Sequence, residues 1–127
     1  MKKGIVFLVF TFLAACSTMG TEGVEVVNTS AFKELLEQEN VQLVDVRTVE
    51  EFKSGHIPYA LNFDVKLDDF TDRISLLDTL KPVLVYCKSG GRSAKAAAIL
   101  KENGFKEVFD LKNGFTQWKE DGEKVED

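Results

Sequence analysis

Pro82-Val83-Leu84-Val85-Tyr86 runs without a break into Cys87-Lys88-Ser89-Gly90-Gly91-Arg92, and from there into an alanine-rich stretch that opens at Ser93. The first segment is the most apolar strand candidate of the chain. The second carries two adjacent glycines, which let a backbone curl without a Cβ penalty. The third reads as a helix over 93–103, closed by Gly104 as a C-terminal cap. Strand, glycine-rich loop and helix N-terminus in this order belong to a parallel α/β sheet, whose ligands bind beyond the carboxyl ends of the strands. The N–H groups of such a loop and the dipole of the helix after it make an anion site. Lys88 and Arg92 add positive charge to it. A cysteine opening that cradle is placed to react as a thiolate. The plain alternative is a structural cysteine that ends a strand before an ordinary turn. A buried structural thiol does not need a helix N-terminus, two glycines and two cations beside it.

The rest of the chain repeats the alternation of strand and helix. Residues 24–27 read as a short strand. Asn28-Thr29-Ser30 offers N-caps to a helix carrying Phe32, Leu35 and Leu36. Residues 41–46 are a largely apolar run with Asp45 inside it, the pattern of a strand covered on both faces. Residues 49–52 suit a helical turn, Gly55-His56-Ile57-Pro58 a turn, and 60–63 a short strand. Leu67, Phe70, Ile74 and Leu77 mark a second amphipathic helix. Residues 107–111 read as a strand and 115–119 as a last short helix. Strands alternating with helices predict an α/β fold, a central parallel β-sheet flanked by helices on both faces. Residues 123–127 are mostly charged and read as a frayed tail.

The N-terminus does not read as fold. Lys2 and Lys3 precede an apolar stretch, residues 5–15, broken only by Thr11. That is short of the about 20 residues of a membrane-spanning helix and suits a signal-peptide core. It ends in Leu13-Ala14-Ala15-Cys16, which resembles a bacterial lipoprotein box with Cys16 as the lipidated residue. An ordinary signal peptide or an uncleaved anchor is the alternative. The chain then divides into a signal peptide (1–15), a small polar tether (16–23), one domain (24–122) and the charged tail (123–127). The expected location is the cell envelope, anchored through lipid alone. Ser17 after the cysteine favours the outer membrane if the host is Gram-negative.

Of 127 residues, removal of the first 15 leaves 112, enough for one small domain. Without Lys2 and Lys3, 14 basic residues stand against 21 acidic, a net charge of −7. Such a surface disfavours nucleic acid and offers no polybasic membrane patch. With Cys16 assigned to lipid, Cys87 has no intrachain disulfide partner. The one histidine, His56, lies in a distant turn, so nothing places it as a base beside Cys87. A cysteine–histidine hydrolase is therefore disfavoured, and two cysteines with one histidine disfavour a zinc site.

Three motifs in order carry a family resemblance. Asp45-Val46-Arg47 with Glu51-Phe52 and Gly55-His56-Ile57-Pro58-Tyr59-Ala60-Leu61-Asn62 resembles the N-terminal signature of rhodanese domains. The stretch from Tyr86 to Ser93 is similar to their active-site loop, and Asn113-Gly114-Phe115 with Trp118 to their C-terminal signature. The family commonly has glycine where Tyr59 and Asn113 stand; asparagine tolerates positive φ. The resemblance implies the rhodanese-like fold. It implies a sulfurtransferase that moves sulfane sulfur from a donor, thiosulfate or a persulfide, to cyanide or to a thiol, a protein thiol included. Cys87 would be the nucleophile. The backbone of Lys88, Ser89, Gly90, Gly91, Arg92 and Ser93 would hold persulfide and donor, with no metal or organic cofactor. Related phosphatases carry five residues between cysteine and arginine; the four here favour sulfur. Asp45, Arg47 and His56 read as structural members of the motif, and Trp118 and Glu51 likewise. The alternative is a sulfur-binding or relay module of the envelope that turns over no small donor.

Overall fold

The computed structural model describes residues 23–127; the signal peptide, Cys16 and all but the end of the tether lie outside the described residues. Five parallel strands stand in the order β1-β5-β4-β2-β3, where β1 is Val24–Val27, β2 Gln42–Asp45, β3 Leu61–Asn62, β4 Val83–Tyr86 and β5 Val108–Leu111. Every residue of β4 is buried, because this strand is central and covered on both faces, which explains its unbroken apolar run. Among the described residues four helices connect the strands, α1 (Thr29–Leu36), α2 (Val49–Lys53), α3 (Phe70–Ile74) and α4 (Gly91–Glu102), and α5 (Gly114–Glu120) follows the last strand.

The pleat of the strands divides the core into two. On one face Val44, Val83, Val85 and Val108 pack against Phe70 and Ile74 of α3 and Ala96, Ala97 and Leu100 of α4. On the other, Leu43, Leu84, Tyr86 and Leu111 pack against Phe32 of α1 and Phe115 and Trp118 of α5. The sheet is therefore flanked on both faces, as the sequence predicts. The alanines of α4 let that helix approach the sheet closely.

Three sequence expectations are corrected. The helix around Leu67–Leu77 is confined to Phe70–Ile74. Asp64 accepts the Lys66 N–H at 2.9 Å through its side chain, a local turn that competes with helix there. Helix α4 begins at Gly91, not Ser93, because Ser93, a good N-cap by type, instead sits one turn in and bonds back to the Gly90 carbonyl. The tail is docked rather than frayed. His56 and Glu126 exchange both backbone hydrogen bonds, the Trp118 indole donates to the Lys124 carbonyl at 2.9 Å, and Glu123 pairs with Lys33. Charge alone reads as solvated; a buried indole N–H that needs an acceptor draws this segment in.

Two turns carry a non-glycine residue with left-handed backbone where the family commonly has glycine: Tyr59 at φ 69° and Asn113 at φ 61°. Asparagine suits this region; the exposed tyrosine carries the strain without steric help.

Candidate active site

Cys87 follows the last residue of β4, so it stands at the carboxyl edge of the central strand. It is a free thiol, 1% exposed. The chain then turns through Lys88, Ser89 and Gly90 into α4. Gly90 is the N-cap, at φ 120°, a conformation closed to other residues without strain. This turn brings the Gly90 N–H to 3.1 Å from the Cys87 Sγ. The N–H groups of Gly91, Arg92 and Ser93, the first turn of α4, have no carbonyl partner among the described residues, as helix starts require. The sulfur therefore accepts one backbone N–H, that of Gly90, at the start of a helix whose next N–H groups are unspent. Ser93 Oγ lies 3.4 Å from the same sulfur. Lys88, Ser89 and Gly91 are exposed and form the rim.

The loop's carbonyls are held from behind. Phe115 N–H donates to the Cys87 carbonyl at 2.8 Å and Thr116 N–H to the Lys88 carbonyl at 3.0 Å. With those carbonyls drawn towards α5, the N–H groups of the loop are free to face the sulfur. Gly114, at φ 55°, lets α5 come this near: a Cβ there would sit 2.7 Å from the Lys88 carbonyl oxygen and nearer still to that of Cys87. Gly114 enters the sequence reading only as a member of the Asn113-Gly114-Phe115 signature; its part in supporting the loop is seen in the structure alone.

Arg92, which the sequence reads as adding positive charge to the loop, has its fork filled. Its two terminal nitrogens bind both carboxylate oxygens of Glu51, at 2.7 and 3.0 Å. Glu51 in turn closes a capping box with Thr48 at the start of α2. The fork clamps α2 to the active-site loop. The Arg92 bond holds the Glu51 carboxyl down to about 2, against an ordinary 4.5, with partial burial opposing and Thr48 assisting. A carboxyl depressed in the folded state stabilises the fold above its unfolded pKa, and that stabilisation is lost as pH falls from about 4.5 towards about 2. Tm of the parent is therefore expected to drop more steeply across that window than Tm of Glu51→Gln. Parallel profiles in a thermal melt series would show that the pair carries no weight in the fold.

Asp45 and Arg47 form a buried pair behind the site. Arg47 binds both Asp45 oxygens, at 2.7 Å for the closest, and donates to the Gly55 carbonyl at 2.6 Å. Its guanidinium lies 4.2 Å from the Phe115 ring centre, so the pair braces the segment that holds the Cys87 carbonyl. Tyr86 accepts the Ile57 N–H at 3.0 Å; burial first, and then Asp45, raise its hydroxyl well above the usual tyrosine range. His56 bonds the Phe52 carbonyl through Nδ1 at 2.9 Å and stacks on the Phe52 ring. Asp45, Arg47 and His56 thus make their hydrogen bonds to neighbouring backbone and to one another, and no hydrogen bond joins His56 to Cys87 among the described residues.

An apolar hollow of about 460 Å³, lined by Leu36, Leu43, Ile57 and Trp118, lies on the other face of the sheet and takes no part in this site. Nearer the loop, a cleft of about 350 Å³ runs between Lys88, Arg47, Glu51 and Lys119.

A family model described as a rhodanese-like domain matches residues 28–121. The chain belongs to the rhodanese family. Among curated relatives, the thiosulfate sulfurtransferase GlpE of Coxiella burnetii is 39% identical over 87 residues, which are 68% of this chain and 78% of that protein. Thiosulfate sulfurtransferase 18 of Arabidopsis thaliana is 39% identical over 114 residues, 80% of this chain and 83% of the relative. The uncharacterized protein YqhL of Bacillus subtilis is 43% identical over 77 residues, 61% of this chain and only 60% of that relative's length. Among solved structures, a rhodanese-related protein of Thermoplasma volcanium superposes with a TM-score of 0.71 at 25% identity, covering 80% of this chain and 97% of that one. The rhodanese fold is thus the frame that places Cys87 at the centre of the carboxyl edge.

Proposed function

We propose that the protein is a rhodanese-type sulfurtransferase that carries sulfane sulfur as a persulfide on Cys87. The observation that carries this reading is the free Cys87 sulfur with the Gly90 N–H at 3.1 Å, at the mouth of a helix whose first N–H groups have no partner. The thiolate attacks the outer sulfur of thiosulfate. A bond forms from Cys87 Sγ to that sulfur, the donor's sulfur–sulfur bond breaks, and sulfite leaves with the electron pair. The loop N–H groups hold the persulfide charge, a preorganised electrostatic cradle of the oxyanion-hole kind. Cyanide or a thiol then takes the outer sulfur and returns the thiolate. Lys88, exposed at the rim, draws anionic donors; Arg92, bound to Glu51, contributes order more than free charge. The step needs no metal or organic cofactor. The names of the GlpE and Arabidopsis relatives support the thiosulfate reading.

The test is direct. The purified domain, incubated with thiosulfate, is expected to gain the mass of a single sulfur atom, and cyanide is expected to remove it as thiocyanate. Uptake from a persulfide donor but never from thiosulfate would assign a relay role instead. No uptake from any donor would end the enzyme reading.

Anchoring is part of the same proposal. The Leu13-Ala14-Ala15-Cys16 box after a basic start and an apolar core supports lipidation at Cys16, which would hold the enzyme at the envelope. Because a single acyl chain binds membranes only marginally, a multiply acylated cysteine is expected. Cys16→Ser should lose incorporation of a fatty-acid probe in cells; unchanged labelling would rule the anchor out.

A further inference from the structure

The Phe115 ring carries two cations, and the sulfur-transfer step above uses neither. The Arg47 guanidinium carbon lies 4.2 Å from the ring centre, and Lys119 Nζ lies 5.0 Å from it. The ring is part of the wall of the cleft of about 350 Å³ beside the active-site loop, which Lys88, Arg47 and Lys119 also line. Backbone ties this cleft to the nucleophile. Phe115 and Thr116, both in its wall, donate their N–H groups to the carbonyls of Cys87 and Lys88.

Arg47 has donors left over. It is 4% exposed, and its Nε and Nη2 are taken by Asp45 and the Gly55 carbonyl. Nη1 has no hydrogen-bond partner among the described residues, yet it is not sealed in the core without one. Its N–H groups therefore reach the cleft that Arg47 lines. A guanidinium buried this far with donors unspent calls for an acceptor. Lys88 and Lys119 are exposed and have no acidic partner among the described residues. Two acids stand across the cleft on α2. Glu51 is held by Arg92, which leaves Glu50, at the start of that helix. The side of the cleft around Phe115 and Thr116 thus presents two lysines and an unspent guanidinium edge.

We infer that this side of the cleft is a second anion subsite, which holds the carboxylate of a small acidic thiol while that thiol takes the sulfur from Cys87. The inference rests on the Cys87 sulfur-transfer reading and names the class of its acceptor. The acceptor thiol sheds its proton to solvent, and its thiolate attacks the outer sulfur of the Cys87 persulfide. A new sulfur–sulfur bond forms as the bond to Cys87 Sγ breaks. Cys87 keeps that electron pair as a thiolate, and the acceptor leaves as a persulfide. Two anions meet in this step, and like charges repel. The cations of the cleft offset that repulsion, and an acceptor with a carboxylate gains most from them. The volume is at the small end for a ligand site, which suits a thiol with a short carbon chain.

The experiment compares mercaptoacetate with mercaptoethanol, acceptors of similar size that differ in the carboxylate. The full-length protein, purified in detergent, is first shown by mass to take up sulfur from thiosulfate. kcat/KM is then measured for each acceptor, and the ratio of the two cancels whatever is common to both. Lys119→Gln removes an exposed charge, so its melting temperature should match the parent's. Its ratio is expected to fall about fivefold, through the KM of mercaptoacetate. Lys119→Arg keeps the charge and is expected to keep most of the parent's ratio. A ratio unchanged in Lys119→Gln, lowered through kcat alone, or lowered as far in Lys119→Arg, overturns the subsite while the sulfurtransferase reading stands. A parent that takes up no sulfur removes both.

Discussion

Cys87→Ser is expected to fold as the parent does and to lose sulfur transfer altogether. The side chain follows β4 in a buried position, where its sulfur accepts the Gly90 N–H at 3.1 Å and neighbours Ser93 Oγ at 3.4 Å. A serine oxygen is smaller and can take the same two partners, so Tm should stay within a few degrees, a change of about 1 kcal/mol or less for a conservative swap with its hydrogen bonds kept. Chemistry is another matter. A serine hydroxyl at neutral pH is a poor nucleophile without an adjacent base, and the only histidine, His56, is engaged with Phe52 instead. Removing the nucleophile of an enzyme lowers turnover by about four orders of magnitude or more. The variant should neither gain the sulfur mass nor form thiocyanate. Turnover near the parent's rate would show that Cys87 is not the nucleophile. Loss of turnover with loss of the melting transition would show instead that the cysteine is a structural core residue, the alternative that the sequence leaves open.

The parts of this site that lie close together in the chain are legible in the sequence. The unbroken apolar run of β4, the paired glycines and the alanine-rich helix are local signals with local causes. Asp45 and Arg47, two residues apart, read only as members of a motif, and the structure joins them as a buried pair. What the sequence hides are contacts between distant segments. Glu51 and Arg92 are 41 residues apart, and nothing in the charge pattern says that the arginine's fork is already filled. The start of α4 reads two residues late because serine is a favoured cap, whereas Gly90 caps through its backbone alone. Asp110 sits in a strand of otherwise apolar residues and carries no mark that its carboxyl is buried. The docked tail is hidden for the same reason: charge predicts solvation, and the indole N–H of Trp118 that draws the tail in is specified elsewhere.

Gly114→Ala is expected to have the largest structural effect of any glycine-to-alanine change among the described residues. The added Cβ would press into the Cys87 and Lys88 carbonyl oxygens, the second at 2.7 Å. Backbone atoms cannot rotate away as a flexible side chain can, so α5 and the loop must separate. That separation stretches the Phe115 bond to the Cys87 carbonyl and the Thr116 bond to the Lys88 carbonyl. Overpacking of this kind costs about 1–3 kcal/mol, and the left-handed backbone at φ 55° adds about 1 kcal/mol for any residue with a Cβ. A loss of about 2–4 kcal/mol in a domain of this size lowers Tm by roughly 10–25 °C. Activity should fall further than stability, because the carbonyls that α5 draws back are those whose removal frees the loop N–H groups to face the sulfur. A displacement of about 1 Å at a reacting centre can cost about a hundredfold in rate. Gly122→Ala supplies the control. That glycine also has left-handed backbone, at φ 72°, but a Cβ there would meet nothing within 4 Å. It should lose about 1 kcal/mol from backbone strain alone and keep full turnover. If the two variants melt together and turn over alike, the close approach of α5 is not what holds the loop, and the cradle around Cys87 stands without it.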